Sequence, residues 1–467
     1  MTTDLCACTA LEIADLVRTR RASCREVTDA VLARIERLNP RLNAFAALDA
    51  ERAREQAGQR DEAIVLGDEV GPLHGVPVTI KDVQAVEGLP TRRGSRLSDP
   101  AAAAADSPAV ARLRAAGAVI LGKTTSTEHG WTAVSDSPLT GTTHNPWRHG
   151  HTSGGSSCGA AALAAAECGP LHLGTDGAGS VRLPAHFCGV VGHKPTYGTV
   201  PYVPVPNNGA LSHIGPLART VTDAELMLAV MSGAHPADHT TLPGPFRPAE
   251  ARDDLRGIRI AYSPDLGHAK VDSEVAAIVA DAVRVFADLG ASVEETVPAW
   301  GPKGPALIRD LWVSAFAAFT PKNAEQEAAI DPGLLAAFRT GPRLSAAELQ
   351  AAQGRRIAYA AEIGTWFESG PDLLVTPSAS VATFPVGRQR PPDCEPHDWD
   401  WLVWAEFSYP FDLSHGPAVS VPCGLTRDGR PVGLQIAAGR LRDAAVLQAA
   451  KAFLAARPFT AKPDLAA

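Results

Sequence analysis

The sequence predicts an α/β protein, on three observations. Apolar residues recur at helical spacing behind two capping boxes near the N-terminus; from Gly71 short apolar runs are divided by Gly and Pro; and those runs alternate with a capped helical segment. Taken in order, Thr9 with Glu12 and Ser23 with Glu26 each pair an N-cap hydroxyl with a glutamate three residues on. Val27, Val31, Ile35 and Leu38 then form one helical stripe until Asn39-Pro40 ends it, so the chain is expected to be helical up to about residue 65. Val76–Ile80 and Ala118–Leu121 read as buried strands, with a helix between them opened by Ser107-Pro108 and closed by Gly117. Residues 231–256, rich in Pro, Gly, His and charge, mark a connection. Ile258–Tyr262 reads as a strand, and Val275, Ile278, Val279, Ala282, Phe286 and Leu289 as a helix face. Leu373–Thr376, Ala418–Val421 and Val432–Ile436 complete the expected strands, and Ala444–Ala456 is a terminal helix.

Composition bounds the function. The 467 residues carry 43 basic and 51 acidic side chains, a net charge of −8, which argues against a nucleic-acid partner. With 45% hydrophobic and 20% charged residues the chain can bury a large core. No secretion signal is visible at the N-terminus, and the longest near-apolar run, Ala160–Ala166, is far short of the roughly 20 residues that cross a bilayer. A soluble, cytoplasmic protein with no membrane partner is the expectation. Eight cysteines, at 6, 8, 24, 158, 168, 188, 394 and 423, are too sparse for a disulfide scaffold and read as reduced thiols. Cys6 and Cys8 read as two incidental thiols in a frayed terminus rather than a metal site.

The informative stretch is Thr152-Ser-Gly-Gly-Ser-Ser-Cys-Gly159, followed by an Ala-rich run and then Leu171-His-Leu-Gly-Thr-Asp-Gly-Ala-Gly-Ser-Val-Arg182. Glycines beside a serine free the backbone so that successive N–H groups converge, the geometry of an oxyanion hole; Gly177, Ala178, Gly179 and Ser180 are the candidate donors. Gly155-Ser-Ser-Cys-Gly159 also matches the nucleophile elbow G-x-S-x-G with Ser157 at its centre, but that motif needs a strand before it, and 145–154 is polar and turn-like. A dinucleotide loop at 174–179 fails on spacing. On the residues alone, two glycine turns that merely permit tight packing remain an alternative. Lys81 ends the apolar strand that starts at Val76, where burial would lower its pKa and make it a base, unless Asp82 beside it is its partner.

These segments together resemble the amidase signature family of serine hydrolases. The resemblance rests on Gly75-Val-Pro-Val-Thr-Ile-Lys-Asp82, Gly154-Gly-Ser-Ser157, Gly174-Thr-Asp-Gly-Ala-Gly-Ser-Val-Arg182, Phe187-Cys-Gly-Val-Val-Gly192, Lys194-Pro-Thr-Tyr-Gly198 and Gly215-Pro-Leu-Ala-Arg-Thr-Val221. It implies a large mixed β-sheet core covered by helices on both faces. The organisation it implies is a helical region over 1–70, a signature core over 71–230, a variable α/β region lining the substrate cleft over 231–370, and a C-terminal region completing the sheet over 371–467, in one continuous body.

Position by position, Lys81 corresponds to the catalytic lysine, Ser156 to the serine that the family holds behind a cis peptide bond, and Ser180 to the nucleophile. Ser157 becomes a supporting hydroxyl near Lys81, and Asp176 and Arg182 shape the turn that carries Ser180. Cys158, Gly177-Ala178 and His193 depart from common family residues without removing a catalytic side chain, and Cys158 reads as a small packed residue.

The resemblance implies an amidase that cleaves the C–N bond of a small carboxamide or anilide, a small-molecule substrate, no cofactor and no metal. Its alternative is the glutamine-hydrolysing subunit of a tRNA-dependent amidotransferase. Members of that type carry Gln after the signature arginine, where this chain has Leu183. A homodimer is expected from the resemblance alone. Pocket walls are expected from 125–150, 300–345 and 395–416, with Trp131, Trp312, Trp399, Trp401 and Trp404 as candidates, although core packing accounts for tryptophans equally well. His144, His149 and His151 lack metal-ligand spacing and read as loop residues.

Overall fold

The computed structural model describes residues 4–250, 252–392 and 399–465; Cys394 lies outside them. Among these the strands are β1 (Phe45–Leu48), β2 (Pro77–Lys81), β3 (Val119–Thr124), β4 (Asp136–Ser137), β5 (Gly141–Thr142), β6 (Leu171–Asp176), β7 (Val191–Lys194), β8 (His213–Ala218), β9 (Arg259–Tyr262), β10 (Ser292–Glu295), β11 (Leu373–Pro377), β12 (Ala418–Leu425) and β13 (Pro431–Ala437). Except for the small β4–β5 ladder they join one 11-stranded sheet in the order β1-β3-β2-β6-β8-β7-β12-β13-β11-β9-β10. The sheet is mixed: β2 pairs parallel with β3 and β6, whereas β6–β8, β7–β8 and β12–β13 are antiparallel. It is the α/β class that the sequence predicts.

Strand side chains alternate between two apolar clusters, as a pleated sheet covered on both faces requires. Ile260, Tyr262, Leu373, Val375, Val419, Val421, Leu434 and Ile436 join one cluster, while Ala261, Leu374, Ala418 and Ala437 join the other. The first is closed by the helices Cys24–Leu42, Ser273–Asp288 and Asp443–Ala456; the second by Gly304–Ala315 and Ala346–Ser369. The short helices Cys158–Ala165 and Arg182–Cys188 pack through a smaller apolar cluster containing Ala160, Ala164, Ala185 and Cys188.

Three local expectations are corrected. The helix of residues 24–42 runs through Pro40 and ends on Asn43 in the left-handed region (φ 51°), because a proline two residues before the end costs only one backbone bond. The N-terminal region is not all helix, since β1 forms the sheet edge beside β3; its four residues, two of them alanine, carry little strand signal. The N-terminus from Asp4 is pinned rather than frayed: the Arg219 guanidinium donates to the carbonyls of Cys6, Ala7 and Cys8, and both thiols are buried.

Candidate active site

The carboxyl ends of parallel neighbours β2 and β6 place Lys81 beside Thr175 and Asp176. Lys81 is fully buried, and its Nζ donates to Ser156 Oγ at 2.7 Å, to Thr175 Oγ1 at 2.9 Å and to the Thr175 carbonyl at 3.3 Å. No carboxylate among the described residues touches it. Asp82, its possible partner by sequence, instead takes an ion pair from Lys123 at 2.9 Å and a hydrogen bond from the Arg92 N–H. Burial therefore decides the protonation of Lys81, lowering its pKa to about 7.

Ser156 follows a cis Gly155–Ser156 peptide, the conformation that the resemblance implied. The approach is tight: a Cβ on Gly155 would run into the carbonyl oxygen of Val134, and one on Gly154 would lie 2.8 Å from Pro184 Cα. Ser157 Oγ donates to the Thr175 carbonyl at 3.2 Å, and its N–H donates to the Ser180 carbonyl at 3.2 Å. It thus touches the neighbours of Lys81 rather than the amine. No strand of the described residues leads directly into it, so the context that a nucleophile elbow needs is missing.

Ser180 sits in the turn between β6 and the helix Arg182–Cys188. Together with Ser156, Thr175 and Gly177 it lines a cavity of about 30 Å³. No hydrogen bond joins the Ser156 and Ser180 hydroxyls in this structure, so two links of the expected chain are in contact and the third is open.

The turn is built around Asp176. Its carboxylate accepts from the N–H groups of Gly179 at 2.6 Å and Val181 at 3.1 Å, and from Arg182 Nε and a terminal guanidinium nitrogen, both at 2.9 Å. Arg182 also donates to Asp412, to the Ser408 carbonyl and to Gln435. Burial alone would raise the Asp176 pKa, but the guanidinium beside it holds the carboxyl well below the usual carboxylate range. One expectation changes here. The Gly179 N–H is committed to Asp176, whereas those of Gly177, Ala178 and Ser180 have no acceptor among the described residues.

Sequence reasoning missed two features. Thr175, which supplies two of the three acceptors for Lys81, lies inside the motif over 174–182, which by itself assigns it no role. The cavity wall over 202–212, with Tyr202, Pro204, Pro206, Asn207, Asn208 and Ser212, carries no motif that marks it as part of a site. Of the five tryptophans only Trp312 reaches the cavity, and Trp312 and Trp401 both donate their indole N–H to the carbonyl of Trp131, in the core. Cys158 is buried with Sγ 3.3 Å from the Thr125 carbonyl, and burial pushes its thiol up. The His144 and His149 rings lie 4.1 Å apart and tilted by 33°, His151 contacts the Thr383 carbonyl, and among the described residues no three metal-ligating side chains converge.

Comparison with known proteins identifies the family. The Amidase family model matches residues 26–447. An acylamidase of Rhodococcus erythropolis is 40% identical, over 97% of this chain and 96% of its own. The A-type subunit of the glutamyl-tRNA(Gln) amidotransferase of Salinispora arenicola (strain CNS-205) is 36% identical, over 98% of this chain and 99% of its own. Among solved structures, a bacterial aryl acylamidase of the amidase signature family superposes with a TM-score of 0.88 at 29% identity, covering 97% of this chain and 96% of that one.

Proposed function

The chain belongs to the amidase family and is an enzyme that cleaves amide C–N bonds; from that premise we propose that it hydrolyses small carboxamides or anilides through an acyl-enzyme on Ser180, driven by a Ser180–Ser156–Lys81 relay. The observation that carries the reading is the buried Lys81 amine, 2.7 Å from Ser156 Oγ and free of contact with any described carboxylate.

A serine hydroxyl is a weak nucleophile at neutral pH and needs a base. In neutral Lys81 the two N–H bonds point at Thr175 Oγ1 and the Thr175 carbonyl, and the lone pair is left for Ser156. As Ser180 Oγ attacks the carbonyl carbon, its proton passes to Ser156 Oγ and the proton of Ser156 passes to Nζ. This requires the Ser180 hydroxyl to turn toward Ser156. The oxyanion falls to the free N–H groups of Gly177, Ala178 and Ser180; losing one such donor in a comparable hole costs about 2.7 to 4 kcal/mol of barrier. Collapse breaks the C–N bond, with the ammonium proton returning through Ser156 to the departing amine. Water then takes the place of Ser180 in the same sequence and releases the acid.

Purified chain supplied with 4-nitroanilides and simple carboxamides tests the reading. Turnover that vanishes in Ser180→Ala and survives in Cys158→Ala is expected; turnover that persists in Ser180→Ala would defeat it. The alternative, a glutamine-hydrolysing component of an amidotransferase, has sequence similarity behind it, but Leu183 follows the signature arginine here. A glutaminase activity exceeding that on anilides would favour that alternative.

A further inference from the structure

The cavity at Ser180 contains an unpaired cation. Arg93 lines it, and no described Asp or Glu does. The Arg93 backbone is fixed on both sides: its N–H donates to the Asp82 carbonyl at 3.0 Å, its carbonyl accepts from the His129 N–H at 2.8 Å, and its φ of 53° lies in the left-handed region. Its guanidinium forms no ion pair and no hydrogen bond with any described residue. The nearby Asp82 is held by Lys123. The positive charge registers on its neighbours instead, adding to burial in lowering the pKa values of His129 and Lys123.

Two further polar groups in the same wall lack partners among the described residues. Asn207 Nδ2 is buried without an acceptor, and His129 Nδ1 is buried without any partner, its ring held flat against Phe319 at a centroid distance of 3.8 Å. Buried donors are normally satisfied, and a guanidinium presents a fork matched to a carboxylate. A wall with a free guanidinium and an orphaned amide N–H, and no carboxylate of its own, calls for oxygen acceptors from the ligand.

We propose that Arg93 is a specificity-determining residue, receiving a carboxylate carried by the amide substrate, so that the enzyme prefers anionic amides to their neutral counterparts. This rests on the amidase reading given above. The carboxylate belongs either to the acyl half or to the amine half, and two matched substrate pairs separate these.

For the acyl half the pair is glutaric mono-4-nitroanilide against hexanoyl-4-nitroanilide; for the amine half it is 4-acetamidobenzoate against 4-methylacetanilide. The expected result is a kcat/KM preference of about tenfold or more for the carboxylated member of at least one pair, expressed mainly in KM and weakened by salt. Arg93→Met should reduce that preference to roughly threefold or less, and Arg93→Lys should retain part of it. The wild-type preference needs no variant, so the test survives poor folding of either substitution. No preference in either pair, or an Arg93→Met variant that lowers both members of a pair equally, overturns the proposal. Turnover of hexanoyl-4-nitroanilide that depends on Ser180 but shows no carboxylate preference would sink the Arg93 assignment and leave the amidase reading standing. Turnover independent of Ser180 would instead defeat that reading.

Discussion

An amine denied water and direct contact with a carboxylate gives up its proton near neutrality, and Lys81 meets both conditions, burial outweighing the pull of the more distant Asp176. The sign of the pH dependence follows. Below about pH 7 Lys81 is an ammonium and cannot accept a proton from Ser156; above it the amine is free. The kcat/KM profile should rise with unit slope through about pH 7 and level off, and a profile flat from pH 5 to 9 would contradict a lysine base. Lys81→Arg should be as inactive as Lys81→Met, because a guanidinium does not deprotonate. Thr175→Val deletes one acceptor that steadies the ammonium, so the limb should move to lower pH while kcat falls about tenfold. A limb that moved upward would count against the assignment of Thr175. The candidates Lys81, Ser156 and Ser180 stand out in the sequence because their motifs are distinctive. The role of Thr175 is not legible, because its contact with Lys81 depends on the pairing of β2 with β6, which the motif around Thr175 does not reveal.

At the scale of elements, the turn between β6 and the helix Arg182–Cys188 is fixed by one carboxylate and one glycine. Asp176→Asn would withdraw the charge paired with a fully buried Arg182, a loss of about 3 to 5 kcal/mol when one partner of such a pair is removed. Denaturant titration checks this, and a change under about 1 kcal/mol would show that Asp412 alone suffices for the guanidinium. Gly179 has φ 113°, and a Cβ there would lie 2.5 Å from Ser408 Oγ and 2.7 Å from Leu183 Cδ1. Gly179→Ala should therefore destabilise by about 1 to 3 kcal/mol and displace Ser180, with a larger loss of kcat than of folded protein. Equal losses would place the effect on folding alone. The strands near Val76, Ala118, Leu373, Ala418 and Val432 were readable from their apolar runs. The central strand β8 was not, because Pro216 in its middle argues against a strand by the usual rule, and β7 is four residues long with Gly192, His193 and Lys194 inside it.

Across the whole molecule, a single sheet draws strands from 45 to 437. The site lies where ligands gather in open α/β sheets, outside the carboxyl ends of parallel strands. Part of the cavity wall at that edge comes from 202–212, rich in Pro and Asn, and part from Trp312, while Trp131, Trp399, Trp401 and Trp404 are buried in an apolar cluster. Pattern alone does not separate a buried indole from one that meets substrate, which is why the sequence leaves both readings of these tryptophans open. Because the proposed relay takes its base from Lys81, dialysis against a chelator should leave turnover intact; activity lost and restored by a divalent cation would contradict the relay as the source of the nucleophile.

The central claim is that Ser180 becomes the acyl carrier. Incubating the enzyme with a slowly deacylating activated amide, quenching in acid and mapping the adduct by peptide mass spectrometry tests it directly. The account predicts the added mass on Ser180 in wild type and its disappearance in Ser180→Ala. An adduct on Ser157, Cys158 or a histidine would contradict it.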